Sequence, residues 1–419
     1  MIEVRNIHVG DGIPKICISI TGENRENIIN EAEGIMLNKP DMVEWRFDCS
    51  KEYDFAIVED ILMNLRAILR ETPLIFTFRT IKEGGKRNIS VEAYRMLYET
   101  IASTGLVDFI DVEGISNGDV ASSIIKSIKD NGTHVITSYH DFEKTPPKEE
   151  LKNILDMLDE KGGDIIKLAV MPHDMTDVTN LIEVTKEYKE AHSEKDIITM
   201  SMGSLGSVSR VCGKKSGSCV TFASVVRSSA PGQVPLKKMR EYFNRLDNYD
   251  DNRNIFLIGF MGTGKTTVAN MLSIITGKTI IDMDEEIVKK SGMSINEIFE
   301  KYGEEKFRDI ETEVCKECSN KNGGIISCGG GAVLRSENVN EMKKNGDIFL
   351  LRATPETVYE RVKDSNERPI LNENMSIDYI SMLMNKRRDI YEECANVKID
   401  TDNLSVLEIA MEIIGHCSK

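Results

Sequence analysis

Over roughly the first 230 residues, short runs of β-branched and aromatic side chains alternate with longer segments whose apolar residues recur every three or four positions. The runs are PKICISI (14–20), DMVEWRF (41–47), PLIFTFR (73–79), VDFIDVE (107–113), HVITSYH (134–140), DIIKLAV (164–170), DIITMSM (196–202) and VTFAS (220–224). Amphipathic stretches such as RENIINEAEGIML and EELKNILDMLDEKG fill the gaps. Alternating β and α segments predict parallel strands joined by crossover helices. Eight such units over about 230 residues predict a (β/α)₈ barrel, with a doubly wound open sheet as the alternative. The segment KKMREYFNRLDNYDDNRN then begins as a helix and ends polar. We therefore expect a first domain over 1–246, a linker over 247–253 and a second domain over 254–419. The second domain opens with the strand NIFLIGF.

Composition narrows the class. The chain has 419 residues, 40% apolar and 29% charged, which predicts two or three soluble globular domains. No run approaches the roughly 18 apolar residues of a membrane span. The N-terminus lacks the basic-then-apolar plan of a leader, so a cytoplasmic location is expected. A net charge of −16 argues against nucleic acid or a membrane surface as partner. Nine cysteines, an odd number, suit free thiols in a reducing compartment. Cys315 and Cys318 form a Cys-x-x-Cys in a helical stretch without a second pair, and read as two thiols one turn apart.

The second domain carries the sharper motif. Gly259–Thr266 spells G-F-M-G-T-G-K-T, a G-x-x-x-x-G-K-[ST] loop between an apolar strand and a helix. Its glycines let backbone N–H groups turn inward around phosphates, Lys265 brings a charge to the terminal phosphates, and the Thr266 hydroxyl is a Mg²⁺ ligand. Asp282 and Asp284 stand two apart at a predicted strand end and are expected on opposite faces, one toward metal and one toward substrate. Arg308 opens a helix. Gly329, Gly330 and Gly331 follow an apolar strand, where their backbone entropy cost suggests a close approach to ligand. Arg368 stands before Pro369 in a polar segment suited to a lid, and Arg387 and Arg388 lie on a late helix. Any single arginine also fits a surface ion pair.

This ordered set resembles shikimate kinase over nearly all of 253–419. The resemblance implies a P-loop α/β/α sandwich with a parallel sheet, and ATP and Mg²⁺ as cofactors. It places Gly259, Met261, Gly262, Thr263, Gly264, Lys265, Thr266, Thr267, Arg361 and Arg368 at the nucleotide, and Thr266 and Asp282 at Mg²⁺. It gives Asp284, Arg308, Gly330, Gly331 and Arg387 to shikimate, with Asp284 orienting the attacking hydroxyl and Arg368 closing over the phosphoryl group. Arg387 is followed by Arg388-Asp389-Ile390-Tyr391 where the family usually shows a small residue and proline, so Arg388 competes for the same role.

In a barrel, chemistry gathers at the C-terminal ends of the strands. There stand Glu44, Arg46 and Asp48, then Arg79 and Glu83, His140, Lys167, Arg210, Ser229 and Gln233. A lysine inside the apolar run DIIKLAV is costly unless paired or neutral. Desolvation and cationic neighbours turn such a lysine into a nucleophile for ketones, while a lysine snorkelling at a strand edge is the alternative. The segments EWRFD, FTFRTIKEGG, SYHDFEKTP, IIKLAVMP, ITMSMG and SAPGQ together resemble type I 3-dehydroquinate dehydratase over about 1–240. The resemblance implies that Lys167 forms an imine with the substrate ketone, that His140 is the general base and acid, and that Glu83 orients it. It assigns Arg210 to the substrate carboxylate and Ser19, Glu44, Arg46, Arg79, Ser229 and Gln233 to the rest of the ring, with no cofactor beyond Lys167.

Two motif sets from one pathway weigh against an aldolase-like barrel, a gluconate- or nucleotide-kinase-like second domain, or a scaffold that has lost activity. The implied partners are 3-dehydroquinate, shikimate and ATP, a homodimer through the barrel, and a separate shikimate dehydrogenase acting between the two steps.

Overall fold

The computed structural model describes residues 1–225, 230–363 and 376–417. It divides into two compact units, Met1–Phe243 and Asn244–Lys419, a division that falls inside the helix Leu236–Asp247.

The first unit is built on eight parallel strands: β1 (Lys15–Ile20), β2 (Met42–Arg46), β3 (Leu74–Thr77), β4 (Phe109–Glu113), β5 (His134–Asp141), β6 (Ile165–Val170), β7 (Asp196–Ser201) and β8 (Val220–Ser224). They pair in sequence order from β1 to β7, and β8 pairs with β1. A bridge between Ile197 and Ser218, with the Cys219 N–H donating to the Ile197 carbonyl, joins β7 to β8 and closes the barrel. Each predicted run matches one strand to within two residues at either end.

These strands are buried almost throughout, as expected where helices cover the outside and side chains fill the inside. The helix Val120–Asp130 shows the outer packing, since Ala121, Ile124, Ile125 and Ile128 bury one face at helical spacing. Asn24, Ser90 and Asp174 cap the helices that follow them by accepting backbone N–H bonds. A hairpin of Ile2–Val4 and Ile7–Val9, absent from the sequence expectation, packs Val4 and Val9 with Phe109, Ile136 and Ile165 at the N-terminal ends of β4, β5 and β6. It plugs the end of the barrel opposite the functional side chains.

The second unit is a five-stranded parallel sheet in the order β10-β11-β9-β12-β13: β9 (Asn254–Ile258), β10 (Ile280–Asp282), β11 (Ile325–Ser327), β12 (Gly346–Arg352) and β13 (Val397–Asp400). The first strand is central, so chain direction across the sheet reverses beside it. Such a switch point leaves a crevice at the strand C-termini. The polar stretch read as a linker folds onto this unit: the Asp250 N–H donates to the Cys417 carbonyl and Lys278 Nζ to the Arg253 carbonyl.

Phe109 is fully buried between barrel strands and hairpin. Phe109→Ala is expected to destabilise the first unit by about 3–5 kcal/mol. Trp45, the single tryptophan and itself fully buried in β2, reports this as a lowered midpoint of denaturant unfolding.

Candidate functional sites

At the C-terminal ends of the barrel strands a cavity of about 470 Å³ is lined by Ser19, Glu44, Arg46, Arg79, Glu83, His140, Lys167, Arg210 and Gln233, nine of the ten ring and catalytic residues expected there. The tenth, Ser229, lies outside the described residues. Lys167 is 4% exposed, and the lattice of charges around it explains how a lysine survives there. Its Nζ stands 2.8 Å from Asp111 Oδ2, 3.9 Å from Glu44 Oε1 and 4.6 Å from the Phe222 ring centroid. The nearest charged partner is therefore an anion, where the sequence had suggested cations.

Arg79 Nη2 lies 2.7 Å from Asp111 Oδ1, and its Nη1 meets Ser138 Oγ at 2.9 Å, Glu113 at 3.4 Å and Glu83 at 3.5 Å. Burial pushes the Asp111 carboxyl up, but Arg79 and Lys167 outweigh it and hold the group well below the usual carboxylate range. Asp111 and Glu113 were missed in the sequence. Their signal was two acids at alternate positions inside the apolar run VDFIDVE, the same anomaly that marked Lys167.

His140 Nδ1 sits 3.0 Å from Glu83 Oε2, which also accepts the His140 backbone N–H at 3.1 Å. Ser116 Oγ donates to the other Glu83 oxygen at 2.5 Å. Burial, with Arg79 and Lys167 nearby, holds the imidazole well below the usual histidine range, so it is neutral at pH 7. Burial and the Glu113 charge push the Glu83 carboxyl upward. Glu83 reaches His140 because the chain turns sharply after β3. A side chain at Gly85 would meet the Arg79 carbonyl oxygen at 1.8 Å, and Gly84 has φ +81° with the Phe142 ring against it.

Glu44 accepts from Ser19 Oγ at 2.6 Å and Thr77 Oγ1 at 2.9 Å. Arg46 is held by both oxygens of buried Asp48, each at 2.9 Å. Arg210, 2% exposed, differs: it donates to the carbonyls of Phe222 at 3.3 Å and Pro231 at 3.0 Å, and among the described residues no carboxylate pairs with it. Burial lowers its guanidinium to about 10.

In the second unit a cavity of about 830 Å³ surrounds the phosphate loop and takes in Asp282, Asp284, Arg308, Gly330, Gly331, Arg361 and Arg387. Gly259, Gly262 and Gly264 adopt φ of +145°, +77° and +96°, and Gly264 precedes the helix Lys265–Thr276. Lys265 Nζ donates to the carbonyls of Gly259 at 2.8 Å and Phe260 at 3.1 Å, which holds it across the loop. Arg361 Nη1 reaches the Gly262 carbonyl at 3.3 Å and Thr401 Oγ1 at 3.2 Å. Met261, Thr263, Thr266 and Thr267 line the same cavity. Arg368 lies outside the described residues.

The expectation that Asp282 and Asp284 occupy opposite faces of a strand is corrected. β10 ends at Asp282, which caps the helix Met283–Ser291 by accepting the Asp284 N–H at 2.9 Å, and Asp284 lies in that helix's first turn. Both carboxylates face the cavity. Burial and the Asp282 charge raise the Asp284 carboxyl. Arg308 sits in the helix Ile295–Ser319 just beyond a break at Gly303, bridging Glu311 at 2.7 Å and Glu304 at 3.2 Å.

The three glycines are explained by side chains as much as by any ligand. A Cβ at Gly329 would stand 2.5 Å from Asp284 Oδ1, at Gly330 3.2 Å from Arg387 Nη1, and at Gly331 2.2 Å from Arg308 Nη1. Arg387 Nη1 and Tyr391 Oη both donate to the Gly330 carbonyl, at 3.1 and 2.6 Å. Arg388 points elsewhere, exposed and 3.3 Å from Glu392. Cys315 and Cys318 are free, buried thiols pushed by burial to about 12 and about 11, which makes them inert. Among the described residues no cluster of metal-ligating side chains occurs and no helix is long and apolar enough to cross a membrane.

Comparison with known proteins finds a family for each unit. The family model for type I 3-dehydroquinase matches residues 16–250, more than half the chain, and that for shikimate kinase matches 261–418. The 3-dehydroquinate dehydratase of Clostridioides difficile is 40% identical over 246 residues, spanning 58% of this chain and 96% of its own. A solved type I 3-dehydroquinate dehydratase from Clostridium difficile is 41% identical, covering 58% of this chain and 96% of that one, with a TM-score of 0.56. The 3-dehydroquinate dehydratase of Bacillus subtilis is 37% identical over 247 residues, 59% of this chain and 97% of its own. The chain belongs to the type I 3-dehydroquinase family and carries a shikimate kinase domain later in its sequence, which makes it a bifunctional lyase and kinase of the shikimate pathway.

Proposed function

We propose that residues 1–246 dehydrate 3-dehydroquinate to 3-dehydroshikimate through a Lys167 imine, and that residues 254–419 phosphorylate shikimate with ATP to shikimate 3-phosphate. The observation that carries the first reading is one cavity holding a buried lysine, a neutral histidine bonded to Glu83, and an arginine without an acid. The Lys167 amine adds to the ketone carbon and water leaves, giving a protonated imine. His140 then takes a proton from the adjacent carbon, and the imine accepts the electron pair. The electrons return to expel the hydroxyl one carbon further on, which departs as water with the proton from His140. Water hydrolyses the conjugated imine and frees Lys167. Glu83 fixes the ring of His140, and Arg210 receives the substrate carboxylate. Ser19, Glu44, Arg46, Arg79, Ser229 and Gln233 hold the ring hydroxyls. The Clostridium difficile protein, solved with covalent modified comenic acid, is a precedent in a relative.

In the second unit the loop Gly259–Thr267 wraps the nucleotide phosphates, Arg361 lies beside the base, and Arg368 closes over the transferring group. The hydroxyl of Thr266 and the carboxylate of Asp282 are hard oxygen donors that fit Mg²⁺, which neutralises phosphate charge when bound. Asp284 orients the attacking hydroxyl, and its raised carboxyl suits exchange of a proton with it. Arg308 and Arg387 grip the carboxylate of shikimate, with Gly330 and Gly331 beneath the ring. The two steps are not consecutive: the barrel releases a ketone and the kinase takes the corresponding alcohol. A separate dehydrogenase therefore acts between them, and the barrel pairs as a homodimer.

Borohydride added with 3-dehydroquinate is expected to fix one substrate residue on Lys167, located by peptide mapping; a label elsewhere would sink the imine assignment. Lys167→Ala should abolish dehydration and leave phosphorylation intact, and Lys265→Ala should do the reverse. Because His140 is held below 6.5, the acid limb of kcat/KM for dehydration is expected below pH 6.5. Activity is then full above that limb and falls as the imidazole takes a proton; a limb at or above 6.5 contradicts the base assignment. For the kinase, Arg387→Met should raise the KM for shikimate about 10- to 100-fold, the worth of a charge-assisted bond, while Arg388→Met leaves it unchanged.

A further inference from the structure

The turn that delivers Glu83 to the histidine also delivers a second side chain to the edge of the barrel cavity. Thr80 and Arg87 pair as a parallel bridge, the Ile81 N–H donates to the Arg87 carbonyl at 3.0 Å, and the Gly85 N–H to the Thr80 carbonyl at 2.8 Å. The Lys86 N–H donates to Asp48 at 3.2 Å, so the loop is tied to the floor of the site. Arg87 is thereby fixed with its guanidinium carbon 4.4 Å from the ring centroid of Tyr53, which is 63% exposed. Arg87 lines the same cavity as Lys167 but is only half-buried, which places it at the mouth.

The other cations of this cavity are largely committed. Lys167 and Arg79 share Asp111, Arg46 holds Asp48, and Lys51 holds Glu23. Arg87 forms no such pair: among the described residues no carboxylate lies within ion-pair distance, the acid that feels its charge, Glu23, is taken by Lys51, and its Nη1 is buried without a hydrogen-bond partner. Among the described residues Arg210, deep in the pocket, likewise pairs with no carboxylate, and the exposed Lys86 beside Arg87 adds a second uncommitted cation at the mouth. A half-buried guanidinium stacked on Tyr53 at the cavity mouth, with no acid paired to it, is a ready donor for an arriving carboxylate. The chain's net charge of −16 adds a motive, because its overall field repels an anionic substrate unless a local cation offsets it.

We propose that Arg87 is a second carboxylate-recognition residue, which captures the anionic substrate at the mouth before it passes inward to Arg210. This rests on the dehydratase reading above. Steady-state dehydration of 3-dehydroquinate by the full chain tests it across a salt series. Arg87→Gln is expected to raise KM about tenfold at low ionic strength with kcat unchanged, and the gap should narrow as salt screens the mouth. Arg87→Lys, which keeps the charge, should recover most of the loss. Wild-type KM and salt dependence in Arg87→Gln would overturn the proposal while leaving the dehydratase reading intact. Reduced kcat with a lowered Trp45-reported unfolding midpoint in both variants would also overturn it, since the side chain would then be holding the loop. Failure of the unaltered chain to turn over 3-dehydroquinate would remove the dehydratase reading and this proposal together.

Discussion

Asp111 stands at the centre of the barrel with one carboxylate oxygen 2.8 Å from Lys167 and the other 2.7 Å from Arg79. Three charges in so dry a place are affordable only as a set. An isolated ion there would be far too costly, and removing one partner of a buried pair commonly costs 3–5 kcal/mol, a figure on the order of half a domain's stability. The remaining parts of the site hang from this bridge. Arg79 carries the field on to Glu113 and Glu83, Glu83 fixes His140, and the cations that neutralise Asp111 also keep the imidazole unprotonated. Lys167 and His140 are thus two ends of one electrostatic network, and neither environment can be set independently.

The kinase-type unit solves a comparable problem with backbone. Its charged side chains need little burial, but they must converge on a small volume, and the chain makes room by omitting side chains between them. Gly329, Gly330 and Gly331 lie against Asp284, Arg387 and Arg308 in turn, at distances a Cβ would violate or crowd. The Gly330 carbonyl then fastens both Arg387 and Tyr391. Asp389 continues the helix Ile377–Cys394 without a break. That continuity keeps Arg387 facing the glycines while Arg388 faces Glu392.

The strands were legible because buried parallel strands are short, apolar and bounded by polar turns, and a period of that kind survives without tertiary knowledge. Lys167 was legible for the opposite reason, as a polar residue where the pattern demanded an apolar one. Asp111 and Glu113 obeyed the same logic yet were read as part of a strand, because alternating acids also mark a strand with one solvated face. The N-terminal hairpin was illegible: its three-residue strands are too short to show a period, and only the apolar cluster they cover explains them. The Asp282–Asp284 geometry failed for two reasons. Side chains two apart on a strand share a face, and the strand in any case ends at Asp282, which caps the next helix, so that Asp284 is placed by the helix's first turn.

On the proposed reading both sites recognise a ring carboxylate, and they do so from opposite starting states. Among the described residues Arg210 has no counter-ion, and burial lowers its guanidinium to about 10. An entering carboxylate would relieve that desolvation, so binding energy is stored in the empty barrel and released on capture. Arg308 is already neutralised by Glu311 and Glu304. A carboxylate arriving there must share or displace those partners, so recognition is an exchange of ion pairs with a smaller net gain and a stronger demand on geometry. The barrel is therefore built to gain affinity from charge and to leave orientation to its hydrogen bonds. The kinase unit, whose chemistry depends on aligning one hydroxyl with a phosphate, is built to gain orientation first.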